Sequence, residues 1–196
     1  MKKKNNWQEF KAVLEQHGIK KLYHFTDREN LESIIKHGGL YSWADCKDKD
    51  IKISKPGGSS LSWDLDSRDG LEHYVRVSFV KEHPMMYVAM NDGRISNPVL
   101  LEIDTDVVCW EGSKYADRNA TRSGRNVGES IDDLKAIHFD AVKARKHFDL
   151  DEDEQKYFQA EMLVKNFIPL SAITNIGNFG YTIPSQSQQM QTKVAY

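Results

Sequence analysis

The chain has 196 residues, a formal net charge of −2, 39% hydrophobic residues and 29% charged residues. This length suits one compact domain with its own core, and no apolar run approaches the roughly 18 residues that a membrane-spanning helix requires. The small net charge argues against a general nucleic-acid coat but is compatible with a local basic groove. Cys46 and Cys109 lack paired spacing, which favours a reducing compartment. We therefore predict a single-domain, cytoplasmic, monomeric protein without a membrane segment.

The first 40 residues carry the clearest local signals. Apolar residues at helical spacing predict a first helix over residues 6–17, and residues 21–26 predict a short strand. Thr26 and Glu29 have the spacing of a capping box, so we expect them to open a second helix. Gly38 and Gly39 would end that helix. The sequence therefore predicts a short strand, then a capped helix, and then glycines that end the helix.

The central part of the chain alternates between polar segments and short apolar segments. Residues 44–60 are rich in lysine, glycine and serine, which predicts a mobile loop. Residues 74–80 alternate as a strand does, Pro84 can start a short helix, and residues 99–108 predict another strand. The 112–128 segment is polar and contains several basic side chains. Its members are Lys114, Arg118, Arg122 and Arg125.

The last part of the chain predicts an acidic helix start over residues 151–159 and a buried strand over residues 160–167. After Gly180 the composition is rich in glutamine and serine, so we expect residues 181–196 to be poorly ordered. Strands and helices in this mixed order indicate an α+β domain, and no internal repeat or linker divides it.

Several enzyme classes lack their sequence signatures here. H-E-x-x-H and metal-ligand clusters of cysteine and histidine do not occur, so we predict no metal. The Rossmann and P-loop glycine patterns and the G-x-S-x-G nucleophile motif do not occur either.

Three residues remain as candidates, and each also has a structural interpretation. His24 at a strand end is compatible with a core histidine that bonds to the backbone. Glu161 stands before the apolar run at 162–164, where burial of a carboxylate costs several kcal/mol unless it is paired; an edge position facing water would make it harmless. Arg68 is compatible with a solvated turn. The basic 112–128 segment suits either a surface loop or phosphate contacts.

Several blocks together resemble the DarT family, the DNA ADP-ribosyltransferase toxins. The opening blocks are LYHFT at 22–26, Asn30-Leu31-x-Ser33-Ile34 and GGL at 38–40. Tyr74-Val75-x-x-x-Phe79 and Pro84-Met85-Met86-Tyr87 are similar to the family's YVPFYF and SPMLY. QAEMLVKNF at 159–167 matches its QAEFLVKDF closely. The blocks keep their order and cover roughly residues 21–177.

The resemblance implies an ADP-ribosyltransferase fold, a split β-sandwich with surrounding helices, and transfer of ADP-ribose from NAD to a nucleobase in single-stranded DNA. It also implies a macrodomain-type antitoxin as partner. The catalytic residues it implies are Arg68 and Glu161. The NAD-binding residues it implies are His24, Phe25, Thr26, Ser33, Tyr41 and Tyr74. Lys114, Arg118, Arg122 and Arg125 are then the expected nucleic-acid contacts.

This chain departs from the family pattern between Arg68 and Tyr74, which are only six residues apart. The family commonly has a basic insert there that folds over NAD, so we expect the 44–60 segment to cover the cofactor instead. Two alternatives remain open at the level of the sequence. The same fold can act on RNA or protein, or the cleft can be a binding module without turnover. The presence of His24, Arg68 and Glu161 favours an active enzyme.

Overall fold

The structure is a computed structural model, and it describes residues 1–180. The predicted tail at 181–196 lies outside these residues. The strands are β1 Leu22–Asp27, β2 Gly39–Tyr41, β3 Tyr74–Ser78, β4 Pro98–Ile103, β5 Lys114–Ala116, β6 Val127–Gly128, β7 Glu161–Lys165 and β8 Phe167–Pro169. The helices are α1 Trp7–Gln16, α2 Leu31–Lys36, α3 Trp43–Asp48, α4 Ser60–Asp69, α5 Pro84–Asn91, α6 Ile131–Lys135, α7 Phe139–Val142 and α8 Glu152–Gln155.

Six strands form one antiparallel sheet in the order β4-β1-β3-β7-β5-β6. The alternation predicted for β3 explains how this sheet divides its two faces. Val75 and Val77 are buried in the main core, whereas Arg76 points to the opposite face because neighbouring side chains of a strand alternate. Pairing with β7 sets Ser78 opposite Glu161. The sheet therefore has one apolar face and one face with polar groups on its central strands.

A second, two-stranded sheet forms where the predicted strand at 160–167 breaks. Asn166 has a positive φ of 63°, which ends β7 and starts β8 in a new direction. β8 pairs with β2, where Gly39 lies directly against it. A Cβ atom on Gly39 would stand 2.1 Å from the carbonyl oxygen of Ile168, so this approach requires glycine.

The capping box predicted for Thr26 and Glu29 is wrong. The side chain of Asp27 accepts the hydrogen bond from the backbone N–H of Glu29, at 3.0 Å. The other Asp27 oxygen accepts from the backbone N–H groups of Ser96 and Asn97, at 2.7 and 2.9 Å. Asp27 is fully buried and therefore fixes the start of the helical segment after β1 to the residues that lead into β4.

Two further boundaries differ from the sequence prediction. The segment at 44–60 is not a loop throughout, because α3 occupies its first part and Ser42 caps that helix. The strand predicted at 99–108 ends at Ile103, and a 3-10 helix, Thr105–Cys109, follows it. None of the helices within residues 1–180 has the length and apolar character needed to cross a bilayer.

Candidate active site

A cavity of about 250 Å³ opens on the polar side of the sheet, where β1, β3 and β7 meet α3, α4 and the 51–59 segment. The six side chains predicted to bind NAD all line it. They are His24, Phe25, Thr26, Ser33, Tyr41 and Tyr74. Glu161 also lines the cavity, so the structure brings the strand–helix junction at residues 23–26 and the distant carboxylate together.

Glu161 is the first residue of β7 and is buried, with 6% of its surface exposed. One carboxylate oxygen, Oε2, accepts a hydrogen bond from Arg76 Nη1 at 2.6 Å and another from the backbone N–H of Ala120 at 2.8 Å. Within residues 1–180, no hydrogen bond reaches Oε1. The carboxylate is therefore held by one oxygen, and the other is free to bind a ligand.

Arg76 lies between two buried carboxylates. Its second guanidinium nitrogen, Nη2, donates to Asp66 on α4. Burial would lower the pKa of Arg76, but the charges of Glu161 and Asp66 outweigh that effect and raise it. Burial also raises the pKa of Asp66, although the guanidinium opposes this. The three groups carry a net charge of −1 when all are ionised, which suits a site where positive charge develops.

His24 is fixed in one tautomer by the backbone of β3. Its Nδ1 lies 2.8 Å from the carbonyl oxygen of Arg76, and because a carbonyl only accepts, Nδ1 carries the proton. Burial lowers the pKa of His24, so the ring is neutral near pH 7 and Nε2 is an acceptor. His24 and Glu161 therefore touch the same arginine, through its backbone and its guanidinium respectively.

The 51–59 segment closes one side of the cavity and is tied to the elements beneath it. Asn30 donates to the hydroxyl of Thr26 at 3.0 Å and to the carbonyl of Lys55 at 2.7 Å, and the N–H of Lys55 returns a bond to Asn30 at 3.0 Å. The hydroxyl of Ser33 donates to the carbonyl of Lys52 at 3.0 Å. These bonds hold the segment over the cavity, where the sequence predicted a cover for NAD.

The comparisons with known proteins agree with this geometry. The model of the family described as "ssDNA thymidine ADP-ribosyltransferase, DarT" matches residues 23–194, which is most of the chain. The chain belongs to the DarT family. NAD-dependent transfer of ADP-ribose to DNA, the activity implied by the sequence resemblance, is the activity of this family, and that prediction is confirmed.

Several relatives of the DarT family show how far the likeness extends. A DNA ADP-ribosyl transferase of Thermus aquaticus is 24% identical over 183 residues, which are 86% of this chain and 79% of that protein. Thermus sp. 2.9 DarT in complex with ADP-ribosylated ssDNA superposes with a TM-score of 0.66 at 17% identity, over 90% of this chain and 89% of that one. The same protein in complex with NAD+ gives a TM-score of 0.59 at 18% identity, with 89% of each chain covered. The predicted α+β fold is confirmed.

The arginine predicted from the DarT resemblance is not the one beside Glu161. Arg68 lies near the end of α4 with 67% of its side chain exposed, pairs at 3.4 Å with its neighbour Asp69, and does not line the cavity. Arg76 occupies the position next to the carboxylate. The sequence did not single out Arg76, because it occupies an unspecified position of the block Tyr74-Val75-x-x-x-Phe79. As the polar member of an alternating strand, it also resembled an ordinary solvent-facing residue. A charged residue in a central strand was the signal that could have identified it.

The basic side chains predicted to contact DNA differ in their surroundings. Lys114 lies with Nζ 5.0 Å from the ring centre of Tyr74. Arg118 pairs with Asp117 at 2.8 Å, and Arg125 pairs with Asp69. Arg122 is exposed, and no salt bridge within the described part of the chain involves it. Ala120, whose backbone N–H donates to Glu161, lies in the same loop between Arg118 and Arg122.

Aromatic and imidazole groups near the cavity include residues that the sequence analysis did not identify. Trp43 and Trp63 stack with ring centres 5.5 Å apart and both line the cavity. Gly58 packs on Trp63, and a Cβ atom there would stand 2.6 Å from the indole nitrogen. His83 is also in the wall. The tryptophans come from two different helices, so only the tertiary structure brings them together.

Within residues 1–180, one group of side chains has a spacing compatible with a metal ion. It consists of Asp45, Asp48 and His73, of which none lines the cavity. Exposed acidic groups commonly have this spacing without an ion. We assign no metal to the site.

Proposed function

We propose that this protein transfers ADP-ribose from NAD to thymidine in single-stranded DNA, with Glu161 as the catalytic carboxylate. The observation that carries this proposal is the free Oε1 of Glu161, which faces a cavity lined by every residue predicted to bind NAD. The thymidine acceptor is supported by the description of the family.

Glu161 suits the chemistry of glycosidic cleavage. When the bond between nicotinamide and ribose breaks, its electron pair leaves with nicotinamide and positive charge develops on the ribose. A carboxylate at that point stabilises the charge and can hold the 2′-hydroxyl of the ribose. The free Oε1 would take this role, while Ala120 and Arg76 keep Oε2 in place.

Arg76, rather than Arg68, is the arginine that assists Glu161, and it does so as a positioning residue. Its guanidinium holds the Glu161 carboxylate in one orientation, and Asp66 fixes the guanidinium from the other side. Two opposite hydrogen bonds leave the guanidinium little freedom to rotate. We expect its effect on the reaction to act through the carboxylate.

NAD would lie along the wall formed by β1, α2 and the 51–59 segment. Thr26 accepts a bond from Asn30 and keeps its hydroxyl proton for a ligand oxygen. His24 presents an acceptor, Nε2, and Tyr41 and Tyr74 present aromatic surface. The 112–128 segment borders the same cavity through Asn119 and Thr121, so a strand of DNA that follows its basic residues would reach Glu161.

The cellular role follows as part of the same proposal. We propose that the protein is a toxin or antiphage effector that acts as a monomer in the cytoplasm and is opposed by a macrodomain-type antitoxin. A DarTG protein of Thermosipho africanus in complex with ADP-ribose supports the pairing, with a TM-score of 0.64 at 20% identity over 79% of this chain and 42% of that one.

The test is transfer of labelled ADP-ribose from NAD to matched oligonucleotides. One set consists of single-stranded DNA 20-mers with one thymidine or with that thymidine replaced by each other base, and a second set has the same sequences in RNA. We expect label only on thymidine-containing DNA, and removal of the label by a macrodomain hydrolase. Label on RNA or on protein, and never on DNA, would overturn the proposal.

A further inference from the structure

Asn119 is a buried amide in the cavity wall, and neither the sequence motifs nor the reaction described above gives its side chain a role. It lies in the 112–128 loop, directly before Ala120, whose backbone N–H holds Glu161. Asn119 and Thr121 both line the cavity, and 8% of the surface of Asn119 is exposed. The loop therefore places a polar group of its own close to the catalytic carboxylate.

Thr121 fixes the orientation of the Asn119 amide. The backbone N–H of Thr121 lies 3.0 Å from Asn119 Oδ1, and because an N–H only donates, that atom must be the amide oxygen. The hydroxyl of Thr121 donates to the same Oδ1, at 2.6 Å. Two hydrogen bonds to one oxygen oppose a flip of the amide. The NH2 group, Nδ2, is therefore the part of the side chain that is available to a ligand.

Nδ2 is an unused donor that is open to solvent. No hydrogen bond within residues 1–180 uses it, since both bonds of the side chain go to Oδ1. Within the same residues, Nδ2 is not among the polar atoms that are both buried and unpartnered, so it contacts solvent. Glu161 Oε1 is an unused acceptor in the same cavity. The cavity thus offers a ligand an acceptor at Glu161 and a fixed, uncharged donor at Asn119.

The position of Asn119 in the fold indicates which substrate it meets. In the sheet, β3 and β7 separate β1, which belongs to the NAD wall, from β5 and β6, which the loop of Asn119 connects. The same loop carries Arg118 and Arg122, whose charges suit a phosphate backbone. An uncharged amide suits the carbonyl oxygen of a base better than a phosphate, which favours a charged partner. Bases of single strands are read through such hydrogen bonds on their edges.

We propose that Asn119 Nδ2 donates a hydrogen bond to the 4-carbonyl oxygen of the thymine that receives ADP-ribose. Thymine has an acceptor at this position, whereas cytosine has an amino group that donates. With cytosine, two donors would face each other without an acceptor, and a site built around a hydrogen bond rejects such a base strongly. This inference rests on the proposed function and names the residue that selects thymine over the other pyrimidine.

The experiment compares three single-stranded oligonucleotides that differ in one base. Thymine is the reference, uracil keeps the 4-carbonyl but lacks the methyl group, and 5-methylcytosine keeps the methyl group but has an amino group in place of the carbonyl. Binding is measured to full-length protein carrying Glu161→Gln, with NAD present, so that transfer is negligible. We expect thymine and uracil to bind within about 4-fold of each other, the effect of one methyl group. The 5-methylcytosine oligonucleotide should bind about 10-fold or more weakly than thymine.

Asn119→Asp should remove this preference, because it replaces the donor by an acceptor and keeps an oxygen for Thr121. The added negative charge weakens DNA binding in general, so the readout is the ratio of the thymine to the 5-methylcytosine affinity, in which a general effect cancels. We expect the ratio to fall about 10-fold or more, to one or below. Asn119→Ala removes the donor without adding a charge and should bring the ratio to about 2 or less. A ratio that keeps its wild-type value in both variants would overturn the proposal.

Two other outcomes also decide against the proposal. If thymine and 5-methylcytosine bind alike and uracil binds more weakly, an apolar contact to the methyl group selects the base. If Asn119→Ala weakens NAD binding in the absence of DNA and leaves the ratio unchanged, the amide serves NAD. The proposed function fails separately, when the wild type labels only RNA or protein. Labelling of thymidine by the wild type, together with an unchanged ratio in the variants, contradicts this inference alone.

Discussion

The cavity floor and the 112–128 loop both contain arginines that pair with carboxylates, but they use the charge in different ways. In the floor, Arg76 is enclosed by Asp66 and Glu161 and serves the carboxylate. In the loop, Arg118 pairs with Asp117 and Arg125 pairs with Asp69, and these ion pairs shape the loop itself. The role of each arginine therefore depends on where its carboxylate partner lies, and not on how many positive charges surround it.

This difference changes how the loop is understood. Its basic composition suggested four equivalent contacts to DNA, yet two of its arginines are already paired with carboxylates. Their ion pairs hold the loop in the shape that brings the N–H of Ala120 to Glu161. The loop therefore supports Glu161, and Arg122 is its exposed arginine without a salt bridge among residues 1–180.

Among substitutions of the arginines and their partners, the largest effect should follow from Arg76→Ala. This change leaves two buried carboxylates without their shared cation, and loss of one member of a buried charge cluster costs about 3–5 kcal/mol. We expect lower stability in urea and a loss of transfer activity of about 100-fold or more. Arg76→Lys should restore part of kcat, with a changed pH profile, because a lysine can face only one carboxylate well. Equal activity of Arg76→Ala and wild type would contradict the account.

The Asp117→Asn variant should show a smaller and pH-dependent effect. Burial would raise the pKa of Asp117, but hydrogen bonds from Arg118 and Asn126 lower it below its usual value. A lowered folded-state pKa stabilises the protein above the unfolded-state value of about 3.9, and the contribution is lost as the pH falls through the folded-state pKa. We expect a loss of about 1–3 kcal/mol at pH 7.

Urea unfolding measured between pH 3 and pH 7 checks this prediction. The free energy of unfolding should fall less steeply towards acid in Asp117→Asn than in the wild type, because the variant has lost the titrating group. An identical slope in both proteins would show that Asp117 does not have the lowered pKa.

DNA binding should separate the exposed arginine of the loop from a paired one. Arg122→Ala should reduce the slope of log K against log salt by about 0.7, the value for one contact to a single strand. Arg125→Ala should change that slope less, because Asp69 already neutralises its charge. Equal slopes for the two variants, measured with thymidine-containing single-stranded DNA, would remove the distinction.

Arg68→Ala should have the smallest effect. Its side chain is largely exposed and pairs only with an adjacent residue, and such ion pairs contribute about 0–1 kcal/mol. Turnover and stability should both match wild type. A loss of activity comparable to that of Arg76→Ala would restore Arg68 to the role that the sequence resemblance implied.

The cavity wall formed by β1 and α2 could be predicted from the sequence because it is local. His24, Phe25 and Thr26 follow one another on a strand that leads into a helix, and Ser33 lies on that helix. Glu161 was identifiable because a carboxylate next to an apolar run is costly without partners. The α+β fold followed from the same short periodic segments.

The remainder of the site depends on contacts that the sequence does not display. Arg76 meets Asp66 across 10 residues and Glu161 across 85, so neither pair has a spacing that can be recognised in advance. Helix α3 was missed because its lysines and aspartates resemble a loop by composition, whereas its cap at Ser42 and the buried Ala44 and Cys46 stabilise it. The cap at Asp27 depends on residues about 70 positions away.

The most direct test of the central claim is the transfer of labelled ADP-ribose by Glu161→Gln. Glutamine has the same shape and keeps an oxygen that can accept from Ala120, but it lacks the charge that would stabilise the ribose. We predict that NAD binding persists and that labelling of thymidine-containing single-stranded DNA falls by about 1,000-fold or more. Labelling by this variant at the wild-type rate would show that Glu161 is not the catalytic carboxylate.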